Sequence, residues 1–78
     1  MLHLQGKRVS GLFYGKAYTG TVTGFETWQN TDRTVGGIGA VITLDSPIRS
    51  GGSVLTTILL SDWQLHESPN KHSIHLAQ

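Results

Sequence analysis

An all-β chain of about five strands is what this sequence predicts. Three observations lead there. Threonine, valine, isoleucine and aromatic residues dominate the body of the chain, from residue 6 to residue 67. Glycines punctuate that body at intervals. No stretch of about 11 residues or more carries a 3.6-residue apolar repeat, so nothing competes with strands for the same segments.

The first strand is expected from Lys7 to Phe13, and the second from Tyr18 to Trp28. Gly20 and Gly24 interrupt the second, where they predict bulges or sharp bends. A polar loop from Gln29 to Thr34 follows. The third strand, Ile38 to Leu44, places Ile38, Ala40, Ile42 and Leu44 on one face at a period of two. Asp45 to Gly52 is expected as a turn, with Asp45 before Ser46-Pro47 as its initiator. The fourth strand, Ser53 to Leu60, has two candidate inward sets: Val54, Thr56, Ile58 and Leu60, or Leu55, Thr57 and Leu59. Apolar groups on both faces leave one open to burial by a partner chain. Ser61 to Leu65 reads as a helical turn with Ser61 as N-cap and with Trp63 and Leu65 facing inward. Leu65 to Glu67 is expected to close the sheet. A sheet this small must curl to enclose its apolar face, which makes residues 1–67 an SH3-like small barrel. Residues 68–78 form a polar tail with a turn at Pro69-Asn70, either mobile or adding one edge strand from Ser73 to Leu76.

Composition narrows the function. The chain has 78 residues and no cysteine, which gives one domain, no disulfide and no cysteine-ligated zinc. A domain of this size buries only about 60% of its unfolded surface, so oligomerisation and a self-sufficient monomer both stay open. No apolar run approaches the ~20 residues of a membrane span. The first residues lack a signal-type apolar core, and the absence of cysteine suits a reducing cytoplasm, so a cytoplasmic protein is expected. Only 14% of residues are charged and the net charge is +1, which argues against a broad electrostatic grip on a polyanion.

The residues offer no catalytic set. His3, His66, His72 and His75 do not show metal-ligand spacing: His72 and His75 fall on opposite faces of a strand and are expected in a solvated tail. Asp62 and His66 are spaced for a pair, but Asp62 is better read as part of the helix start. No Gly-x-Ser-x-Gly elbow occurs, and Glu26, Asp32, Asp45, Asp62 and Glu67 form no pair. Gly36-Gly-Ile-Gly39 lacks the helix and the Gly-Lys-Ser/Thr ending of a phosphate loop. No catalytic residue, metal or cofactor is therefore expected. Binding is the better prospect. Small barrels hold single strands by stacking bases on exposed rings and tracking phosphates with Lys and Arg. Cations stand at Lys7, Arg8, Lys16, Arg33 and Arg49, and rings at Phe13, Tyr14, Tyr18, Phe25 and Trp28. The connection from Phe13 to Tyr18 is the sharpest candidate, with Phe13 closing the barrel mouth. Proline-binding domains place their aromatics in the same segment. An exposed Trp28 would mark an interface, while Trp63 is expected in the core. The expected binding set is Lys7, Arg8, Tyr14, Lys16, Tyr18, Trp28 and Arg33.

Gly6-Lys-Arg-Val9 and Gly15-Lys-Ala-Tyr-Thr-Gly-Thr-Val-Thr-Gly-Phe25 resemble the start of the barrel in plasmid-borne type II dihydrofolate reductases, and Gly52-Ser-Val54 resembles that family's entry to its active-site strand. The resemblance implies a small barrel and an oligomer with a central pore. That family's Val-Gln-Ile-Tyr segment is here Val54-Leu-Thr-Thr57, and its lysine after Arg-Val corresponds to about Gly11. Leu55 cannot hydrogen-bond a pterin or a nicotinamide amide. The chain is also similar to small SH3-like proteins carried by mobile elements. The expected function is thus a non-catalytic binding module or accessory protein for a nucleic acid or a protein. The alternatives are an oligomeric reductase of this type and a protein inhibitor acting by surface complementarity.

Overall fold

The structure is a computed structural model that describes residues 2–30, 32 and 35–77. Five strands are present: β1 (Arg8–Phe13), β2 (Lys16–Gln29), β3 (Val35–Ser50), β4 (Ser53–Ser61) and β5 (Ser73–Leu76). A short helix, α1 (Asp62–Glu67), precedes β5, and a 3-10 turn (Leu2–Leu4) precedes β1. The chain is all-β, a single antiparallel sheet in the order β4-β3-β2-β1-β5.

That order ends on β4 at one side and β5 at the other, so the expected barrel is not closed. The reason is local. Leu65 to Glu67, expected to close the sheet, is helical, because Ser61 starts α1 as its N-cap. Gln64 folds back there: its Oε1 accepts from the Ser61 N–H at 3.0 Å and from the Ser61 hydroxyl at 2.8 Å. This reciprocal cap stabilises the first turn. The chain then meets β1 rather than β4, through a strand of only 4 residues.

Both tight turns follow from backbone chirality. Tyr14 and Gly15 join β1 to β2 with φ of 49° and 78°, and Gly51 and Gly52 join β3 to β4 with φ of 56° and 84°. Positive φ at both central residues matches a twisted two-residue hairpin. The turn expected over Asp45 to Gly52 is thus confined to Gly51-Gly52, and β3 runs on to Ser50. The ladder breaks inside that extension: Thr43 faces Thr57 while Ile48 faces Leu55, which sets residues 44–47 against Thr56 alone. Pro47, with no N–H to give, sits in the break.

On β2, Val22 faces Ile42 and Gly24 faces Val41, so Thr23 is the extra residue of a bulge beside Gly24, as expected. Gly20 serves another purpose. It lies opposite Leu44 in regular register, and a Cβ there would sit 2.4 Å from the Thr43 carbonyl oxygen. Its role is close approach of backbones, not bending.

The core contains Val9, Val22, Ala40, Ile42 and Leu60, all fully excluded from solvent, with Leu4, Phe13, Tyr18, Ile48 and Ile58 around them. Phe25, Leu44, Leu55, Leu65 and Ile74 pack against it. β4 therefore draws from both candidate sets: Ile58 and Leu60 beyond the ladder break, and Leu55 before it, with Val54 turned out. Trp63 is not in the core but 56% exposed, and Gln64 takes the buried helix position instead. The capping bonds that pull Gln64 inward rotate Trp63 outward.

Candidate binding surface

The β1–β2 hairpin carries the most distinctive surface group. Tyr14 has left-handed backbone, unusual for an aromatic residue, and its side chain is 56% exposed. Its ring is nonetheless held. It meets Phe13 edge-on at 4.7 Å and His72 edge-on at 4.6 Å between centroids. Its hydroxyl accepts from Gln64 Nε2 at 3.2 Å. The Gly15 N–H donates to the Lys71 carbonyl at 2.9 Å, and the Lys16 ammonium donates to the Arg49 carbonyl. Three cationic residues, Lys16, Arg49 and Lys71, thus lie exposed on segments tied to this turn.

Of the expected binding set, the structure brings together Tyr14 and Lys16. Tyr18 is buried; its hydroxyl donates to the Ser73 carbonyl at 2.9 Å. Burial pushes the Tyr18 phenol far above its usual pKa. The bond to Ser73 ties β2 to the start of β5. Lys7 and Arg8 lie at the other end of β1 from Tyr14, which at about 3.3 Å per residue is roughly 20 Å or more away. Arg8 is also engaged: it donates to both Asp45 carboxylate oxygens and, at 3.2 Å, to the Thr21 hydroxyl. Trp28 is at the far end of β2, half-buried, its indole lying where a Cβ on Gly36 or Gly37 would be. Arg33 lies outside the described residues.

Beyond the expected binding set, Arg49 and Lys71 join the surface and buried His72 supports it from beneath. Arg49, one of the cations noted in the sequence, lies near the end of β3 rather than in the expected turn. Lys71 and His72 were assigned to a solvated tail. The tail docks along β1, and β5 is the edge strand from Ser73 to Leu76 that the sequence offers as one of two alternatives. Val9 faces Leu76 and Leu12 faces Ser73. The Leu12 N–H donates to the Ser73 hydroxyl at 3.0 Å, and the Ala77 N–H donates to the Arg8 carbonyl at 2.9 Å. His72 is 5% exposed, wedged against Phe13 and Tyr14, and neither ring nitrogen has a hydrogen-bond partner. No pattern in the sequence announced a buried imidazole. The Pro69-Asn70 turn and the expected edge strand from Ser73 to Leu76 are the signals that the chain doubles back.

Asp62 accepts from the Trp63 N–H at 2.7 Å and from the Ile38 N–H at 3.4 Å, which fixes α1 to β3. Among the described residues, no cluster of three or more histidines and carboxylates could hold a metal, and no helix is long and apolar enough to cross a membrane. On β4, Val54, Thr56 and Thr57 are exposed, and Leu55 packs against the core. No protein-family model, curated protein or solved structure matches the chain.

The Arg8–Asp45 pair leads to one expected result. Hydrogen bonds from Arg8 and Thr19, with the charge of Arg8 adding a smaller part, hold the Asp45 carboxyl at about 2, below its ordinary 3.8. Its folded-state pKa is depressed, so its contribution to stability is complete above about pH 4 and is lost as pH falls towards 2. The melting temperature of the chain should drop across that window, and Asp45→Asn should flatten the drop. A carboxyl of Asp45 that titrates near its ordinary value by NMR would refute the pairing.

Proposed function

We propose that the chain is a non-catalytic binding module that takes a single-stranded nucleic acid at the tip of the β1–β2 hairpin. The observation that carries this reading is the Tyr14 ring, exposed yet fixed by Phe13, His72 and Gln64, with Lys16, Arg49 and Lys71 on the segments tied to it. A ring held in place loses little freedom when a base stacks on it, and stacking contributes about 1–3 kcal/mol per base. A few local cations suit a short stretch of backbone, which is consistent with a net charge of only +1.

Labelled single-stranded DNA and RNA at two salt concentrations test it. Binding should be strongest at low salt. Tyr14→Ala should weaken it about tenfold or more at either salt concentration. Lys16→Gln should weaken it while reducing the salt slope by roughly one. Absence of binding at low salt, or binding indifferent to Tyr14→Ala, would overturn the proposal. A protein whose binding is lost with Tyr14→Ala would replace nucleic acid as the ligand.

A second reading, self-association, is favoured by β4. Ser53–Ser61 contains no charged residue and no proline, and among the described residues its ladder is formed with β3 alone. Long uncharged edges invite pairing with another strand, and folded proteins usually blunt them with lysine, proline or a cover. A second copy offers an edge of the same length, and antiparallel pairing about a twofold axis satisfies both. Light scattering should then give twice the chain mass, and Val54→Lys, at an exposed position, should reduce it to the monomer. A monomer for the unaltered chain at high concentration would rule this out.

A further inference from the structure

Among the described residues, His72 alone keeps buried side-chain nitrogens without a hydrogen-bond partner. Its ring stands edge-on to Tyr14 at 4.6 Å and to Phe13 at 5.8 Å between centroids. Its backbone N–H donates to the Ser68 carbonyl at 2.9 Å. The next residue, Ser73, accepts from the Tyr18 hydroxyl and from the Leu12 N–H. The imidazole is thus wedged between the hairpin tip that carries the binding ring and the strand that docks on β1. A neutral imidazole can sit there. A charged one lacks the partner that burial of charge requires.

The surrounding groups offer it none. The hairpin presents Phe13, Tyr14 and the cation Lys16, β3 adds Arg49 beside Lys16, and Lys71 precedes the ring in the chain. On α1, Gln64 is engaged by Ser61 and Tyr14, and Asp62 by the Trp63 and Ile38 amides. His66 and Glu67 of α1 and His75 of β5 are exposed, and Glu67 makes no ion pair with the ring. Histidine is the side chain whose ordinary charge change falls between about pH 8 and pH 5. A proton taken from solvent in that range finds no acceptor here, so the ring must swing out to water to carry it. We propose, resting on the reading of the hairpin tip as the nucleic-acid site, that acid switches this site off: on protonation His72 leaves its place beside Tyr14, and the ring that stacks a base loses its support. Added positive charge ordinarily strengthens phosphate binding, so a loss in acid separates this switch from bulk electrostatics.

The probe is labelled oligothymidylate, whose bases do not titrate in this range, bound to the full chain at constant salt from about pH 8 to about pH 5. Affinity of the unaltered chain should fall about tenfold, with a slope of no more than about one proton per chain. His72→Phe should hold its affinity or gain in acid. Without any ligand, the NMR signals of the Tyr14 ring should move together with those of the His72 ring. Thermal stability should fall over the same range in the unaltered chain and not in His72→Phe, because the unfolded chain takes up the proton that the wedged ring cannot carry. This range lies above the window in which Asp45 acts. Affinity that rises in acid equally in both proteins would overturn the proposal, as would a His72 ring that titrates with Tyr14 undisturbed. A chain that binds no oligothymidylate even at the alkaline end, yet whose Tyr14 and His72 signals move together, would refute nucleic acid as the ligand and still support the release of Tyr14 by acid.

Discussion

Gly11→Ala should destabilise the chain by about 2–3 kcal/mol or more, the range of a strained overpacked site. A methyl group at Gly11 would stand 2.1 Å from the Ser73 carbonyl oxygen and 2.6 Å from its carbonyl carbon. Both are backbone atoms of a strand paired with β1, and they cannot turn aside as a side chain would. Gly11 faces Ile74 in the register, and its flanking pairs Ser10 with His75 and Leu12 with Ser73 fix the separation. The ordinary expectation is the reverse, since alanine in place of a strand glycine stabilises by about 0.5–1 kcal/mol. Gly24 supplies the control. It has ordinary negative-side backbone and no atom within 4 Å of the position a Cβ would take. Gly24→Ala should therefore be neutral or stabilising by up to about 1 kcal/mol. Urea unfolding of the two variants checks both signs. If Gly11→Ala matched Gly24→Ala, the close docking of β5 on β1 would be wrong. Amide exchange at residues 73–76 locates the damage, which should be greatest there.

His72→Phe should raise stability by about 1–2 kcal/mol. Each buried polar atom left without a partner carries a desolvation penalty of about 1–3 kcal/mol, and both ring nitrogens of His72 are in that position. Phenylalanine removes those atoms and keeps a ring against Phe13 and Tyr14, where edge contacts are worth about 0.5–1.5 kcal/mol. The residue that the sequence places in solvent is thus expected to behave as a core position that prefers an apolar group. A loss of stability in His72→Phe, measured by thermal and urea unfolding, would show that the imidazole has a partner in solution. A stabler variant that bound nucleic acid less well would show instead that the imidazole is kept for the ligand.

These contrasts show which parts of the molecule the sequence exposes. Strands with a clear period of two were legible: Ala40 and Ile42 are buried on the face expected for them. Ser61 was legible as a cap because its role is local. Gly24 was legible beside a bulge for the same reason. What was not legible depends on distant partners. Gly20 looks like Gly24 in the sequence, and only Thr43 across the sheet distinguishes them. Trp63 is the more apolar residue, yet Gln64 goes inside because its amide bridges Ser61 and Tyr14. The same dependence divided the binding set. Tyr14 and Tyr18 are four residues apart, but a left-handed turn points one ring outward, and the Ser73 carbonyl anchors the other inside. Lys71 and His72 reach the site only because β5 docks on β1.

That docking also sets the order of assembly. The pairing of β1 with β2 closes over the two residues Tyr14 and Gly15, whereas Leu12 meets Ser73 across a separation of 61 residues. Closing so long a loop is entropically slow, and contacts of this kind dominate the folding time of β proteins. The hairpin should form early, but Phe13 and Tyr14 are not fixed against His72 until the final strand arrives. A chain arrested before β5 would hold the hairpin and lack a finished binding surface, with the outer side of β1 unpaired.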